Sequence, residues 1–371
     1  MVRIGSDILR EVLETEALPE VWVRFPRQLG DVIFSLPFFI NLQRQWNAVA
    51  AERSRSLRWI AVGHDIGAAL FADAKPSFIS ECVIESGGQG KPDPWHLLRR
   101  WREKRPVAVI NLSQSVRLIL AAALTRVPIR AGIADNHLQL LYTHPFQYRD
   151  LPLHCAQRYA PLLGLLAGTC ELQWEALTSD QFGGLRGLDK LKAAGWKGGA
   201  YVCMAYGTRG DAKRWMPEQE TWPKLAKLFL QQGLEVVWLG SPGERVLGHE
   251  LCERSPGSVD LTGLTTISEA FAIAQAAYGT VAIDTGLAHL SAGAGRPTVT
   301  INSHSPEVLI QPIGPASVML SGPMMDIQPS QSRECSVASP SMLRLPQVRV
   351  ANILHALAAE TNGSLLSPRT P

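Results

Sequence analysis

Residues 280–290 read Thr-Val-Ala-Ile-Asp-Thr-Gly-Leu-Ala-His-Leu. Thr280–Ile283 is short and nearly continuous in apolar character, the pattern of a strand covered on both faces of a parallel sheet. The Asp284-Thr285-Gly286 turn ends it, and a helical pattern follows. The same cadence recurs along the chain. Val21–Phe25, Trp59–Val62 and Val107–Ile110 read as buried strands in the first half, and Tyr201–Met204, Glu235–Leu239 and Thr298–Ile301 in the second. Amphipathic stretches separate them, which predicts an α/β chain of two doubly wound domains with a cleft between. In such sheets ligands bind outside the carboxyl ends of the strands.

Three helices can be placed. One spans Val32–Trp46, with Asp31 as its expected N-cap and Pro37 as an expected kink. Another opens at Pro217, turns Trp222, Leu225, Leu228 and Phe229 inward, and closes at Gly233. Thr266 and Glu269 form a capping box for a third, which carries Phe271 and Ala274. A Gly-rich stretch near Gln181–Gly199 separates the two arrays, and Asn362–Pro371 reads as a frayed tail.

The 371 residues suffice for two domains, and 46% hydrophobic against 19% charged residues exclude a disordered or fibrous chain. Cys82, Cys155, Cys170, Cys203, Cys252 and Cys335 lie far apart with no C-x-x-C pair. A zinc ribbon, a thioredoxin-type site and a disulfide framework are excluded, and reduced thiols in a cytoplasmic protein are expected. Even the most apolar stretches, such as Leu118–Leu124, are far shorter than the roughly 20 residues of a spanning helix. Glu11, Glu14, Glu16 and Glu20 stand where a signal peptide needs an apolar region. Residues 1–170 hold 20 Lys+Arg and 15 Asp+Glu, so the first half is basic although the whole chain is only +3. Its densest run, Arg99–Arg105, reads either as a solvated helix end or as an anion-binding surface.

Three segments are candidates for chemistry. Arg24-Phe25-Pro26-Arg27-Gln28-Leu29-Gly30-Asp31 puts a carboxylate at the carboxyl end of the first strand, where Asp31 either caps a helix or acts as a general base. Tyr206–Trp215 supplies Thr208, Arg209, Lys213 and Arg214 in one glycine-containing loop after a strand, a combination suited to a diphosphate. In the third, Gly286 permits close backbone approach, Asp284 can accept from sugar hydroxyls, and Thr285 and His289 share a helix face. His289 reads either as a core residue or as a ligand contact. No G-x-G-x-x-G follows a strand, no G-x-S-x-G elbow occurs, and no Asp-x-Asp or metal-ligand spacing is present. A bound diphosphate would then be neutralised by protein cations and helix ends, without a metal.

In order along the chain stand Val23-Arg-Phe-Pro-Arg-Gln-Leu-Gly-Asp with Ser35-Leu-Pro, Asn111-Leu-Ser-Gln-Ser, Arg130-Ala-Gly-Ile, Asp150-Leu-Pro-Leu-His, Lys213-Arg-Trp, Asp260-Leu-Thr-Gly and Asp284-Thr-Gly-Leu-Ala-His-Leu. From about Val21 to Leu357 the chain thereby resembles glycosyltransferase family 9, the ADP-heptose lipopolysaccharide heptosyltransferases, and its type II members in particular. The resemblance implies a GT-B fold of two Rossmann-like domains facing a central cleft. It puts an acceptor domain at 1–178 and a nucleotide-sugar domain at 179–345. The terminal helix, about Gln347–Ala358 within 346–371, would return to the first domain.

The same resemblance implies an inverting enzyme with no cofactor beyond its ADP-sugar substrate. Asp31 would be the base and Lys213 would sit against the leaving diphosphate. Thr208, Arg209, Arg214, Asp284, Thr285, Gly286, Leu287 and His289 would hold ADP-heptose. Arg27, Arg117 and Arg130 would meet an acidic lipopolysaccharide core at the cytoplasmic face of the inner membrane, through peripheral contact and without nucleic acid. Three departures stand out: Ile283-Asp284-Thr285-Gly286 replaces Asn-Asp-Ser-Gly, Ser303-His304-Ser305-Pro306 replaces Gly-Pro-Thr-x-Pro, and Gln328-Pro329-Ser330 replaces Cys-Pro-Cys. Another nucleotide sugar, a protein acceptor, or a non-catalytic nucleotide-binding role stay open on the sequence.

Overall fold

A computed structural model describes residues 4–14, 19–75, 78–84, 94–134, 137–147, 153–207, 215, 218–302, 306–321 and 347–365. The chain divides into two compact units between Glu175 and Ala176. In the first unit the elements run α1 (Gly5–Val12), β1 (Glu20–Arg24), α2 (Leu29–Glu52), β2 (Arg58–Gly63), α3 (Asp65–Ala69), β3 (Glu81–Ile84), α4 (Pro94–Lys104), β4 (Ala108–Asn111), α5 (Val116–Leu124), β5 (Ile129–Ile133), β6 (His144–Phe146) and α6 (Ala160–Ala167). In the second they run α7 (Gly187–Ala193), β7 (Tyr201–Ala205), α8 (Glu218–Gln231), β8 (Glu235–Trp238), α9 (Arg245–Glu253), β9 (Val259–Asp260), α10 (Ile267–Ala276), β10 (Gly279–Ile283), α11 (Gly286–Gly293), β11 (Thr298–Asn302), α12 (Glu307–Ile310), β12 (Ser317–Ser321) and α13 (Gln347–Leu365).

Each unit is built on a six-stranded sheet, ordered β3-β2-β1-β4-β5-β6 in the first and β12-β11-β10-β7-β8-β9 in the second. Every pairing is parallel. Numbered within its own unit, each sheet has the same order, with the first strand between the second and the fourth. Each therefore reverses direction of winding once, at β1/β4 and at β7/β10, and a crevice opens there at the carboxyl ends. Each strand expected from the sequence is present to within one residue at either end.

Both faces of each sheet are covered. Alternate residues Trp22, Ile60, Val62 and Val109 meet Leu97, Leu98 and Trp101 of α4 and Leu118 and Ile119 of α5. Trp59, on the other side of its strand, packs edge-on against Phe39 of α2. In the second unit Val202, Met204, Val281 and Val299 meet Trp222, Leu225 and Phe229 of α8. Tyr201, Cys203 and Val237 pack with Ile273 of α10 on the opposite face. The Thr266–Glu269 capping box is formed.

Two expectations need correction. The helix after β1 starts at Leu29, three residues earlier than read, because Gln28 is the extended residue that precedes it; Asp31 is not its N-cap but stands in its first turn. The helix also runs through Pro37 to Glu52. The C-terminal helix, expected on the first domain, packs on α8, β10 and β11. The reason is apolar burial: Val350, Ala351 and Leu354 complete the cluster around Trp222 and Phe229.

Among the described residues no helix is long and apolar enough to cross a membrane. Cys82, Cys155, Cys170, Cys203 and Cys252 are free thiols, and Cys335 lies outside the described residues.

Candidate active site

At the first switch point β1 delivers Arg24, and the chain turns through Phe25–Gln28 into α2. Here a cavity of about 510 Å³ is lined by residues that include Arg24, Arg27, Asp31, His64, Ser113 and Gln114, with Ser115, Ile133 and Tyr159 also in its wall. Asp31 is exposed on the first turn of α2, where the partial positive charge of the helix end favours a carboxylate. Arg24 is 4% exposed, and its Nε donates to Ser113 Oγ at 3.1 Å. A cation so placed makes the wall of this cavity electropositive beside the carboxylate.

The Asn111–Ser115 segment owes its shape to one buried amide. Asn111 Oδ1 accepts from the Ser115 backbone N–H at 3.1 Å, while its Nδ2 donates to the Ser115 carbonyl at 3.0 Å and to Tyr142 Oη at 2.9 Å. Gln114 is thereby held at φ 55°, a left-handed conformation rare outside glycine, at the cavity wall. Gly132, on the neighbouring strand, lies against the Asn111 carbonyl at φ 142°, and a Cβ there would collide with it. Asn111-Leu-Ser-Gln-Ser and Arg130-Ala-Gly-Ile are thus two halves of one packing arrangement.

The basic candidates separate. Arg27 lines the cavity and Arg117 is exposed on the first turn of α5, just beyond Ser115. Arg130 does neither. Its Nε donates to the Leu141 carbonyl and its Nη1 to the Val127 carbonyl, both at 2.6 Å, and burial lowers its pKa from the usual guanidinium value. It ties the chain entering β5 to the segment that leads into β6. The Arg99–Arg105 run ends α4, which leads into the amino end of β4, so it lies at the opposite end of the sheet from Asp31. Within it Arg100 turns inward, donating to Glu81 at 2.6 Å and lying 4.6 Å over the Trp22 ring.

At the second switch point Thr208, Arg209, Lys213 and Arg214 lie outside the described residues. Their flanks are firmly set. Tyr206 is fully buried, with Oη 3.1 Å from both the Glu244 carbonyl and Thr262 Oγ1. Gly207 packs directly on the Glu244 carboxylate, which accepts from Ser241 N–H at 2.6 Å. Trp215, 1% exposed, packs edge-on against Trp222 at 5.3 Å.

β10 lies next to β7 in the sheet, and α11 begins directly after it. Thr285 is its N-cap residue, extended at φ −139°, but its hydroxyl does not cap the helix. Oγ1 is buried and has no hydrogen-bond partner among the described residues. A hydroxyl left so beside the open N–H groups of a helix start suits an anionic oxygen. Gly286 is the first residue of α11, and Leu287 packs on Ala205, Ala282 and Ala288. His289 is 4% exposed, with Nε2 3.4 Å from Asp284 Oδ1. The side chain thus belongs to the buried structure of the turn, and it faces the candidate Asp284.

His64 and Tyr159 at the first site, and Glu244 at the second, were not marked by sequence. Arg24, Ser113, Gln114, Tyr206 and Thr262 stand inside the quoted motifs, but sequence assigned them no individual role. Among the described residues no group of three His, Cys, Asp or Glu is placed to hold a metal.

A family model described as glycosyltransferase family 9 (heptosyltransferase) matches residues 95–339, so Asp31 precedes the matched range. Lipooligosaccharide heptosyltransferase 2 of Haemophilus influenzae is 30% identical over 122 residues, a stretch covering 32% of this chain and 32% of that protein. The structure of Escherichia coli ADP-heptose lps heptosyltransferase II matches with TM-score 0.72 and 19% identity, over 92% of this chain and 99% of that one. A glycosyl transferase family 9 structure from Veillonella parvula matches with TM-score 0.74 and 18% identity, over 92% and 98%. Escherichia coli heptosyltransferase WaaC with ADP matches with TM-score 0.65 and 17% identity, over 91% and 99%. The fold is the two-domain GT-B fold of these structures.

Proposed function

The chain belongs to glycosyltransferase family 9, the heptosyltransferase family, and from that premise we propose that it transfers a heptose from ADP-heptose, with inversion, to an acidic lipopolysaccharide inner-core acceptor. The observation that carries the reading is Asp31 on the rim of the cavity at the β1/β4 switch point. An acceptor hydroxyl in that cavity would give its proton to the Asp31 carboxylate while its oxygen attacks the anomeric carbon. The bond from that carbon to the diphosphate oxygen breaks, ADP leaves, and attack from the opposite face inverts the centre.

Negative charge then collects on the leaving diphosphate. Fixed cations and helix N–H groups stabilise it best when they are in place before the reaction. Lys213 takes this role, with Thr208, Arg209 and Arg214 in the same loop. Thr285, Gly286, Leu287, Asp284 and His289 form the other wall of the donor site, at the start of α11. Protein cations replace a metal ion. Arg27 and Arg117 orient the acidic acceptor, and the reaction runs at the cytoplasmic face of the inner membrane.

The test is a nucleotide panel followed by transfer. ADP should raise the melting temperature, while UDP, GDP and CDP at matched concentration should not. A ligand at 100 times its Kd stabilises by about 2.7 kcal/mol. Lys213→Ala should abolish the shift. Selective response to UDP or GDP overturns the ADP-heptose donor, and ADP binding without transfer to any core acceptor overturns the enzyme reading.

A further inference from the structure

Helix α5, Val116-Arg-Leu-Ile-Leu-Ala-Ala-Ala-Leu124, is apolar at every position but Arg117. Leu118, Ile119, Ala121 and Ala122 are buried with Leu97, Leu98 and Trp101 of α4. Spacing by four puts Val116, Leu120 and Leu124 in a row on the other side. They are 50%, 45% and 60% exposed. Leu140, on a 3-10 turn that packs against α5, is 93% exposed. Single surface leucines are ordinary, but an aligned row on one helix marks a contact surface.

Among the described residues the charges around the row are positive apart from Glu103. α5 holds no acidic residue, and Arg117 is exposed in its first turn. Arg126 is exposed just past its end. α4 packs beside α5, and both run against the strand direction, so the exposed Arg102, Lys104 and Arg105 end level with Leu124; Glu103 is the acid among them. The basic run that the active site leaves unused thereby borders the apolar row. Ser115, which lines the Asp31 cavity, immediately precedes Val116, so the row starts at the cavity rim.

We propose that this face of α5, with Leu140, is the surface on which the protein docks to an anionic lipid bilayer. The row would enter the acyl boundary while the flanking cations meet acidic headgroups, the chemistry of an interfacial helix. A second copy of this chain is the poorer occupant, because a two-fold contact through α5 would bring Arg117, Arg126 and the α4 cations against their own copies. The proposal deepens the reading of a lipid-linked acceptor and rests on it only for its purpose, since docking beside the cavity delivers such an acceptor to Asp31.

Co-sedimentation of the full chain with vesicles, without acceptor, tests it. Vesicles of phosphatidylcholine with phosphatidylglycerol should bind the protein, and pure phosphatidylcholine vesicles should bind it far less. Raised salt should release it. Leu120→Ser with Leu124→Ser should lower the bound-to-free ratio at least about tenfold, and Arg102→Glu with Lys104→Glu should remove the preference for phosphatidylglycerol. These side chains are on the surface, so the leucine variant should melt as the parent does, and both variants should transfer sugar to a delipidated acceptor at the parental rate. Equal vesicle binding by parent and variants, or none by the parent, overturns the proposal. So does loss of an oligomer in the leucine variant with no effect on vesicles. Vesicle binding with no transfer to any acceptor would instead overturn the reaction and leave the docking surface standing.

Discussion

Nε2 of His289 lies 3.4 Å from Oδ1 of Asp284, across the turn that carries the chain from β10 into α11. Both side chains are nearly buried, at 4% and 9% exposure. The contact ties the last residue before the N-cap to the first turn of the helix, and so sets where the open N–H groups point. His289→Ala leaves a nearly enclosed carboxylate without its imidazole, which should cost about 1–3 kcal/mol. Because α11 is the proposed diphosphate wall, ADP affinity measured by calorimetry should also fall about tenfold or more. A lower melting temperature with unchanged ADP affinity would make His289 a structural residue only.

Asp31 belongs to the first unit and the proposed donor residues to the second. A base that touches only the acceptor should therefore be separable from donor binding. Asp31→Asn should lower kcat by on the order of 10²–10⁴-fold, while the thermal shift produced by ADP stays at its parental size. Parental turnover in the variant would remove Asp31 from the mechanism.

Glu81 gives a pH dependence with a definite sign. The hydrogen bond from Arg100 holds its carboxyl below the usual carboxylate value, with the charges of Arg58 and Lys104 adding to the effect. The folded state thus binds its proton more weakly than the unfolded chain does. The stabilisation is present above the unfolded-state value and is lost as pH falls through the folded-state value. Urea midpoints should fall as pH drops below about 4.5, and Glu81→Gln should flatten that part of the curve. An identical acid limb in both proteins would show that Glu81 contributes nothing.

What can be read from sequence here is what short-range pattern encodes. Val21–Phe25 and Thr280–Ile283 are visible because a strand buried on both faces is apolar along nearly its whole length, with Arg24 and Thr280 only near the ends of theirs. β5 is hidden because Arg130 and Gly132 interrupt that pattern, each for a tertiary reason: Arg130 reaches the carbonyls of Val127 and Leu141, and Gly132 must clear the Asn111 carbonyl. β9 is only two residues long, too short to carry a period. The Asp31 turn and the Asp284–Gly286 turn are legible because each directly follows a readable strand. His64 and Tyr159 reach the same cavity from distant elements, and no local signal announces them. A cation near a motif reads as a ligand contact in sequence, and only the fold shows that Arg130 is occupied and that Arg99–Arg105 ends at the wrong pole of the sheet.

The C-terminal helix is the case where periodicity shows an apolar face without saying what it covers. Leu354 is fully buried in the cluster with Trp222, Leu225 and Phe229. Gly279 packs beneath it: a Cβ there would stand 2.8 Å from Leu354 Cδ1. Tyr278 Oη lies 3.0 Å from His355 Nδ1, and His355 Nε2 lies 2.7 Å from Gln232 Oε1, so polar contacts fix the helix next to its apolar seam. Leu354→Ala should therefore destabilise the second unit by about 2–5 kcal/mol, measured by urea unfolding. If the helix were anchored elsewhere, the substitution would cost less than about 1 kcal/mol, as exposed positions do. Because Leu354 borders β10, whose end carries Asp284, the same variant should also lose ADP affinity before it unfolds, in urea concentrations that leave the parent fully bound.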